Sequence, residues 1–335
     1  MKPYVTVIWL NYNSDKIINI AKQSLSAIKN FDYPNYELIL VDNGSTDNSL
    51  NQITRYLDYI KLNAKVLKSS RNLGFTGGNN LAYRHRNSSA KYVALINSDL
   101  IPEQNSLAEL VDVMECDEEI GAIQGIIFNH DMTRIDSSGD YLDEALRPYP
   151  KIDDSIREGY ITYADGSYCI IRIDAVRRIQ SEYLFDDELF AYFEDALLGI
   201  KLWNYGYKVK STPVIVGKHF RGRSSGTMSK LYQILKNRVA VRQIIYTGFG
   251  RLYFYRIIFL GFFHSSLSSP NTLPMPSYVK ALTEGFMIGS KLKRRGIKLS
   301  LFKAPYVKLG VLEIIITPRR KIKVSINNVR FSQKN

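Results

Sequence analysis

The stretch ELILVDNGSTD, residues 37–47, decides the fold class, because it joins an apolar strand to a short polar turn and the start of a helix. The same succession recurs through residues 1–130. Apolar runs resembling strands begin at Tyr4, Glu37, Val66 and Tyr92, and apolar residues between them recur at helical spacing. Repeated units of this kind predict an α/β fold, with a mostly parallel sheet covered by helices on both faces.

Each of these four strands is followed by a loop of short polar side chains. In parallel sheets, ligands bind outside the carboxyl ends of the strands, so four polar loops at that edge predict one ligand site there. The loops are Asn11–Ser14, Asp42–Asp47, Asn72–Asn80 and Asn97–Asp99.

The loops also have structural interpretations. Ser45 or Thr46 is a candidate helix cap. A turn and a helix cap do not explain why Asp42 ends an apolar strand. The glycines and asparagines of residues 72–80 match neither a dinucleotide-binding fingerprint nor a P-loop; they suit a surface turn or close contact with a polar ligand. A carboxylate at Asp99, at the tip of a buried strand, suits a hard divalent cation that also binds a diphosphate.

Two further features lie beyond the repeated units. Glu194 and Asp195 stand at the start of a predicted helix, where the helix dipole favours acids and where one acid could also serve as a general base. His219 is either a packed side chain or a metal ligand. The basic, glycine-rich residues 217–226 around it could close over phosphates.

In this order and spacing, the motifs resemble those of family 2 inverting glycosyltransferases, and most closely the rhamnosyltransferase-like branch, over about residues 4–225. The resemblance implies a GT-A fold, an NDP-sugar donor (UDP- or dTDP-linked) and a divalent metal, Mg²⁺ or Mn²⁺. It implies a metal-assisted single displacement with Asp195 as the base and Glu194 beside it. Asn97 replaces the first acid of the family's D-x-D motif, so metal binding would rest on Asp99 with help from His219.

The resemblance also assigns the remaining site residues. The donor would be bound by Asn11, Asn13, Asp42, Asn43, Ser45, Asn72, Gly74, Gly77, Asn79, Asn97, Ser98 and Asp99. The acceptor or the transferred sugar would lie near Asp165, Gly166 and Trp203.

The net charge of +13 is unevenly distributed. Residues 1–229 carry a slight excess of acids, whereas residues 230–335 carry 20 Lys and Arg against only Glu284 and Glu313. This asymmetry predicts an anionic partner: a membrane surface, a phosphorylated lipid or a nucleic acid. Arg251 and Arg256 interrupt the apolar stretch of residues 244–263, which disfavours a membrane-spanning helix and favours one in the membrane interface. The alternatives are packing on the catalytic domain or a homodimer contact.

Three regions are predicted: a GT-A catalytic domain (1–229), a basic, aromatic helical region (230–304) and a small β extension (305–335) with strands over Val311–Thr317 and Lys321–Ile326. Two cysteines without disulfide or metal spacing, and no recognisable secretory signal, favour the cytoplasm. The expected location is the inner face of the cell membrane, where a glycan or lipid-linked glycan acceptor would be met.

The sequence alone leaves two rival functions to consider. Another nucleotide-sugar enzyme on a similar sheet would need a basic phosphate loop after the first strand, which residues 11–14 do not supply. A nucleic-acid-binding protein could use the basic C-terminal third, but it would leave the clustered polar loops unexplained. No nucleic-acid partner is therefore expected.

Overall fold

The computed structural model describes residues 2–151, 157–180, 182–221, 227–266, 272–308 and 329–331. A mixed sheet with helices on both faces forms the centre of the protein, which confirms the predicted α/β class. Its strands are β1 (Tyr4–Asn11), β2 (Tyr36–Asp42), β3 (Lys65–Lys68), β4 (Ala90–Asn97), β5 (Leu100–Pro102), β6 (Ile120–Asn129), β7 (Ile135–Ser137), β10 (Gly159–Tyr160), β11 (Tyr168–Arg172) and β12 (Lys208–His219). Two smaller sheets contain β8 (Asp140–Asp143), β9 (Pro148–Pro150), β13 (Ile245–Tyr246), β14 (Leu299–Ser300), β15 (Tyr306–Val307) and β16 (Val329–Arg330).

The strand order of the main sheet is β10-β12-β6-β11-β4-β1-β2-β3. β4, β1, β2 and β3 run parallel, and so do β6 and β12. β11 lies between β4 and β6 and is antiparallel to both. β5, β7 and β10 add short antiparallel pairings at β12 and β6. The antiparallel β11 makes the sheet mixed, and its first residues lie beside the last residues of β4.

The helices are α1 (Ile18–Lys29), α2 (Ser49–Ile60), α3 (Gly74–Arg84), α4 (Ser106–Cys116), α5 (Ile173–Ile179), α6 (Glu194–Asn204), α7 (Thr227–Arg242), α8 (Gly250–Ser266) and α9 (Met275–Arg294). Successive side chains of β1 point to opposite faces of the sheet, and each face is covered by its own set of helices. Val7 and Trp9 pack with α1, α2 and α4 on one face, whereas Ile8 packs with α3, α5 and α6 on the other. Because both faces are covered, the central strands appear in the sequence as continuous apolar runs.

One predicted element differs from the structure. The stretch Asn72–Asn80 was expected to be a loop, but α3 already begins at Gly74. Glycine and asparagine are poor helix formers, so local propensity argued against a helix there. Tertiary contacts of these residues, described below, outweigh that propensity.

The C-terminal helices share a core with the sheet domain. Phe193 and Leu197, at the start of α6, pack in one apolar cluster with Ala240 and Val241 of α7 and Leu292 of α9. The boundary expected between residues 229 and 230 falls inside α7. No helix among the residues with described positions is long and apolar enough to cross a membrane. The two strands expected over 311–317 and 321–326 lie outside the described residues.

Candidate functional site

The carboxyl ends of the parallel strands meet at one edge of the sheet. Asn11, the last residue of β1, lies opposite Asp42, the last residue of β2. On the other side of β1, Leu10 lies opposite Asn97 at the end of β4, and Asp42 lies opposite Lys68 at the end of β3. The four polar loops that follow these strands are therefore neighbours, as their positions after the strands predicted.

Asn11 ties the first two loops together. Its side chain is fully buried, and Nδ2 lies 2.8 Å from Asp42 Oδ1, 3.1 Å from Ser45 Oγ and 3.0 Å from Ser49 Oγ. Its Oδ1 accepts a hydrogen bond from the Ser14 hydroxyl. With both ends of the amide engaged inside the protein, Asn11 positions the loops, and its predicted contact with the donor stays a prediction.

Asn13 and Asn43 extend this network to the neighbouring loops. Asn13 Oδ1 accepts a hydrogen bond from the backbone N–H of Thr46 at 2.8 Å, and its own N–H donates to Ser45 Oγ at 3.0 Å. Asn43 Nδ2 donates to the Gly74 carbonyl at 2.9 Å and to Asn72 Oδ1 at 3.2 Å. The loops after β1, β2 and β3 thus form one preorganised polar platform.

Asp42 retains capacity for a ligand within this platform. Oδ1 accepts one hydrogen bond from Asn11, and Oδ2 accepts one from the Ser45 N–H at 3.3 Å. Each carboxylate oxygen can accept about two hydrogen bonds, so one remains available on each. Neither Ser45 nor Thr46 caps α2: the N-cap residue is Asn48, and the Ser49 N–H donates to Asp47 Oδ1 at 3.0 Å.

The first turns of α3 hold the loop that precedes the acid pair. Gly74 has φ +74°, and a Cβ there would lie 2.3 Å from the Phe190 carbonyl oxygen. The same oxygen accepts a hydrogen bond from the Thr76 N–H at 3.0 Å. Asn80 Nδ2 donates to the Phe185 carbonyl at 2.7 Å and to Asp187 Oδ1 at 2.6 Å. These contacts explain why α3 forms despite its weak propensity.

Gly77 and Asn79 face the interior of the protein at this turn. A Cβ on Gly77 would meet Leu73 Cβ at 2.7 Å. Asn79 is buried, and its Nδ2 donates to the Phe75 carbonyl at 2.8 Å, one helical turn earlier. Both residues therefore shape α3, and their predicted roles in donor binding stay predictions.

The antiparallel β11 brings a second group of residues to the same edge. The Asn97 N–H donates to the Ser167 carbonyl at 2.9 Å, so the turn of Asp165 and Gly166 lies beside the turn containing Ser98 and Asp99. This placement follows from strand direction, because β11 begins where β4 ends.

Asp99 and His219 form the candidate metal pair. His219 ends β12 next to β5, and its Nε2 lies 3.0 Å from Asp99 Oδ1. On its other side, Nδ1 lies 3.3 Å from Asp136 Oδ2. Burial alone would lower the pKa of His219, but the two carboxylates outweigh it and raise the pKa to about 9. Over the described ranges, no group of three or more His, Cys, Asp or Glu residues is placed to hold a metal ion, and the role of Asp99 and His219 as metal ligands stays a prediction.

Arg221 links this pair to the next acid. Its Nε lies 2.5 Å from Asp136 Oδ2, and a terminal nitrogen lies 2.5 Å from Asp165 Oδ2. Burial would raise the pKa of Asp165, but the Arg221 guanidinium lowers it below the usual value. A continuous series of charged contacts thus runs from Asp99 through His219 to Asp165.

Asp195 lies at the far end of this series. It is the second residue of α6, and its carboxylate accepts hydrogen bonds from the Gly166 N–H at 3.4 Å and the Ala196 N–H at 2.7 Å. Burial and the negative charge of Asp165 raise the pKa of Asp195 to about 7. The carboxyl group also borders a small, mostly apolar cavity lined by residues that include Ala164 and Leu198.

Glu194 differs from its neighbour in solvation. It is buried, and its Oε2 has no hydrogen-bond partner in the part of the chain that the structure describes. Burial, reinforced by the charge of Asp195, raises its pKa well above the usual value. Asp195, whose pKa lies near 7 and whose carboxylate accepts two backbone hydrogen bonds, is the acid better suited to accept a proton.

A strained turn presents this acid pair. Phe190, Tyr192 and Phe193 have φ of 66°, 67° and 77°, and each such non-glycine residue costs about 1–3 kcal/mol. Asn237 of α7 is fully buried, and its Nδ2 donates to backbone carbonyls of this turn at 2.6–2.8 Å. The accepting carbonyls are those of Leu189, Ala191 and Tyr192. A C-terminal helix thus holds the turn in its strained form.

We expect Asn237→Ala to lower kcat by about 10- to 100-fold with little change in the KM for the donor, because small displacements of a catalytic group are costly. Asn204→Ala is the matched control, because Asn204 ties α6 to the Ser300 carbonyl at 3.0 Å, at the opposite end of α6 from Asp195. Both variants should lose similar stability, about 1–3 kcal/mol. Equal kcat values in the two variants would exclude a positioning role for Asn237.

Trp203 requires a correction. It was expected near the acceptor or the sugar, but it lies eight residues after Asp195, about 12 Å along α6. It is buried, its Nε1 donates to the Ile161 carbonyl at 3.0 Å, and its ring packs against Tyr160 and Phe331. Trp203 is a core residue and not part of this site.

Asp136, Asp140 and Arg221 belong to the site, but the sequence did not single them out. Asp140 lies near Asp165 and Asp195; burial, followed by their charges, raises its pKa. The polar, irregular stretch of residues 131–165 offered a weak signal for the two aspartates, and the position of Arg221 two residues after His219 offered another. Residues 222–226, expected to close over phosphates, lie outside the described part of the chain.

Comparisons with known proteins show the family of this chain. A model of the family described as Glycosyl transferase family 2 matches residues 6–180, slightly over half of the chain. An uncharacterized glycosyltransferase of Haemophilus influenzae is 30% identical over 121 residues, which is 36% of each protein, so the match spans about a third of that relative. Asp42 and Asp99 lie inside the family match, whereas Asp195 and His219 lie after it.

Two solved structures share the fold at low identity. A mannosyltransferase from Pyrobaculum calidifontis, in complex with GDP-Man and Mn²⁺, aligns with a TM-score of 0.54 and 18% identity over 88% of this chain and 80% of its own. GalNAc-T7, with UDP, GalNAc and Mn²⁺, aligns with a TM-score of 0.60 and 15% identity over 89% of this chain and 58% of its own. The shared architecture is the GT-A fold.

Proposed function

Because the chain belongs to glycosyl transferase family 2, we propose that it transfers a sugar from a nucleoside diphosphate donor to a hydroxyl group of a glycan or lipid-linked glycan. The observation that carries this proposal is the series of contacts that joins the Asp99–His219 pair to Asp195 at one sheet edge. A metal–diphosphate subsite and a base are the two centres that such a transfer requires.

The polar platform around Asp42 suits the nucleoside of the donor. The remaining acceptor positions of the Asp42 carboxylate can bind N–H or O–H groups of a base or ribose. Because the surrounding loops are already hydrogen-bonded to one another, little ordering would be needed on binding. By resemblance, the donor is UDP- or dTDP-linked and the enzyme is of the rhamnosyltransferase-like branch.

The Asp99–His219 pair suits a divalent cation, Mg²⁺ or Mn²⁺. One carboxylate oxygen and one imidazole nitrogen face each other at 3.0 Å, so a bound cation would displace the imidazole proton and would take its other ligands from substrate phosphates and water. When bound, the cation would offset charge on the leaving diphosphate. Asp136 would orient the imidazole from its second nitrogen, as partners of metal-ligating histidines usually do. The Mn²⁺ in both fold relatives supports this assignment.

Asp195 serves as the base in this proposal. It takes the proton of the acceptor hydroxyl while that oxygen attacks the anomeric carbon from the face opposite the diphosphate, so the configuration inverts. A carboxylate with a pKa of about 7 is well matched to this task near neutral pH. Arg221, partly exposed beside Asp165, adds a fixed positive charge at the same edge.

A binding and hydrolysis screen tests the proposed function. We expect UDP or dTDP with Mn²⁺ or Mg²⁺ to raise the Tm, because a ligand at a hundredfold excess over its Kd adds about 2.7 kcal/mol to the free energy of unfolding. We also expect the cognate NDP-sugar to be slowly hydrolysed. Single-stranded oligonucleotides serve as the comparison. Stabilisation by oligonucleotides with no response to any nucleoside diphosphate would overturn the proposal in favour of a nucleic-acid-binding protein.

A further inference from the structure

The helix α8 is apolar on its solvent-facing side as well as on its packed side. Tyr253, Phe254 and Gly261 are buried against the neighbouring helices. On the other side, Leu252 is 69% exposed, Phe259 62% and Phe263 50%. A helix that is apolar all round is normally covered on all sides, so this face lacks a partner among the described residues.

The exposed side chains form one stripe with basic margins. At 3.6 residues per turn, Leu252, Tyr255, Phe259 and Phe263 project within one side of the helix, and Arg251 and Arg256 fall at its two edges. Aromatic residues flanked by basic residues suit a helix lying in a membrane interface, where the rings enter the headgroup region and the exposed Arg251 guanidinium reaches phosphates. Below, this set is called the α8 stripe.

The surroundings of the α8 stripe are also apolar and basic. α8 contains no Asp or Glu, and the adjoining α9 exposes Val279, Phe286 and Met287. The last turn of α9 carries Lys291, Lys293 and Arg294. In residues 230–335 the only acids are Glu284 and Glu313. A second copy of this basic surface would meet like charge across a two-fold axis, whereas anionic lipid would complement it.

We propose that the α8 stripe docks the protein on the surface of an anionic lipid bilayer. The helix lies parallel to the membrane and does not cross it, which agrees with the two arginines in its sequence. The inference goes beyond the proposed sugar transfer and does not depend on it, because the stripe lies outside the sheet edge described above.

Vesicle co-sedimentation of the full chain tests this inference. The wild type should bind vesicles of phosphatidylglycerol and phosphatidylcholine at low salt, bind pure phosphatidylcholine much more weakly, and dissociate as salt rises. Phe259→Glu should weaken binding about tenfold or more, because one buried aromatic side chain is lost and a negative charge is added. Tyr59→Glu is the matched control, since Tyr59 is 82% exposed on α2, away from the α8 stripe.

The outcomes are distinct. Loss of binding in Phe259→Glu, with wild-type binding in Tyr59→Glu and a native Tm in both, supports the inference. Equal binding of all three proteins, or no vesicle binding by the wild type, overturns it. A wild type that is dimeric in solution, becomes monomeric in Phe259→Glu and never binds vesicles would assign the α8 stripe to a homodimer contact instead.

Discussion

Asp195→Asn is expected to lower kcat by about 10²–10⁴-fold, because the amide cannot accept the proton of the acceptor hydroxyl. The KM for the donor should change little, since Asp195 lies outside the platform around Asp42. In the wild type, kcat should rise with pH through about 7, because only the ionised carboxylate acts as a base and its raised pKa lies there. Initial rates with an identified acceptor, measured from pH 5 to pH 9, would show both effects.

Two neighbouring substitutions serve as controls for this assignment. Glu194→Gln should retain most of the activity, because burial raises the pKa of Glu194 well above its usual value and the amide imitates the neutral carboxyl group. Asp165→Asn should move the rise in kcat to lower pH, because it removes a negative charge that raises the pKa of Asp195. Near-normal turnover in Asp195→Asn, or a pH profile unchanged by Asp165→Asn, would show that another group is the base.

Asp99→Asn is expected to weaken metal binding and to lower kcat/KM by about 10²-fold or more, because the charge stabilisation offered by a bound cation is worth several kcal/mol. The half-maximal Mn²⁺ concentration for donor hydrolysis should rise. Calorimetric titration of Mn²⁺ in the presence of UDP measures the loss of metal affinity directly, without relying on activity.

Asp131→Asn is the matched control for the metal assignment. Asp131 is exposed and accepts hydrogen bonds from the N–H and the hydroxyl of the nearby Thr133, so its loss should leave Mn²⁺ binding unchanged. If Asp99→Asn and Asp131→Asn bound Mn²⁺ equally well in the presence of UDP, the Asp99–His219 pair would not be the metal site.

The sequence predicted the parallel part of the sheet well, because strands such as β1 and β4 are buried on both faces and appear as continuous apolar runs. It predicted the meeting of Asp42 with Asn97–Asp99 for the same reason: strand direction alone brings their loops together. The start of α3 was missed, because its stability comes from contacts of Thr76 and Asn80 with residues more than a hundred positions away.

The charged series was only partly predictable. Asp136 meets His219 and Arg221 across more than eighty residues, and no local pattern indicates such a pairing. Trp203 was misplaced because its chemistry suits a sugar contact as well as a core position, and only its packing distinguishes the two. The positive φ angles in the turn Phe190–Phe193 could not be predicted either, because aromatic residues rarely adopt them.

The hydrogen bonds from Asn237 have a consequence for protein engineering. A chimera that takes only residues 6–180 of this chain would inherit the platform around Asp42 but not the turn that presents Asp195. A graft extended to the end of α6 would still leave the carbonyls of that turn without their donor on α7. Exchange of modules within this family should therefore transfer α6 and α7 together, because Asp195 on α6 depends on Asn237 of α7 for its position.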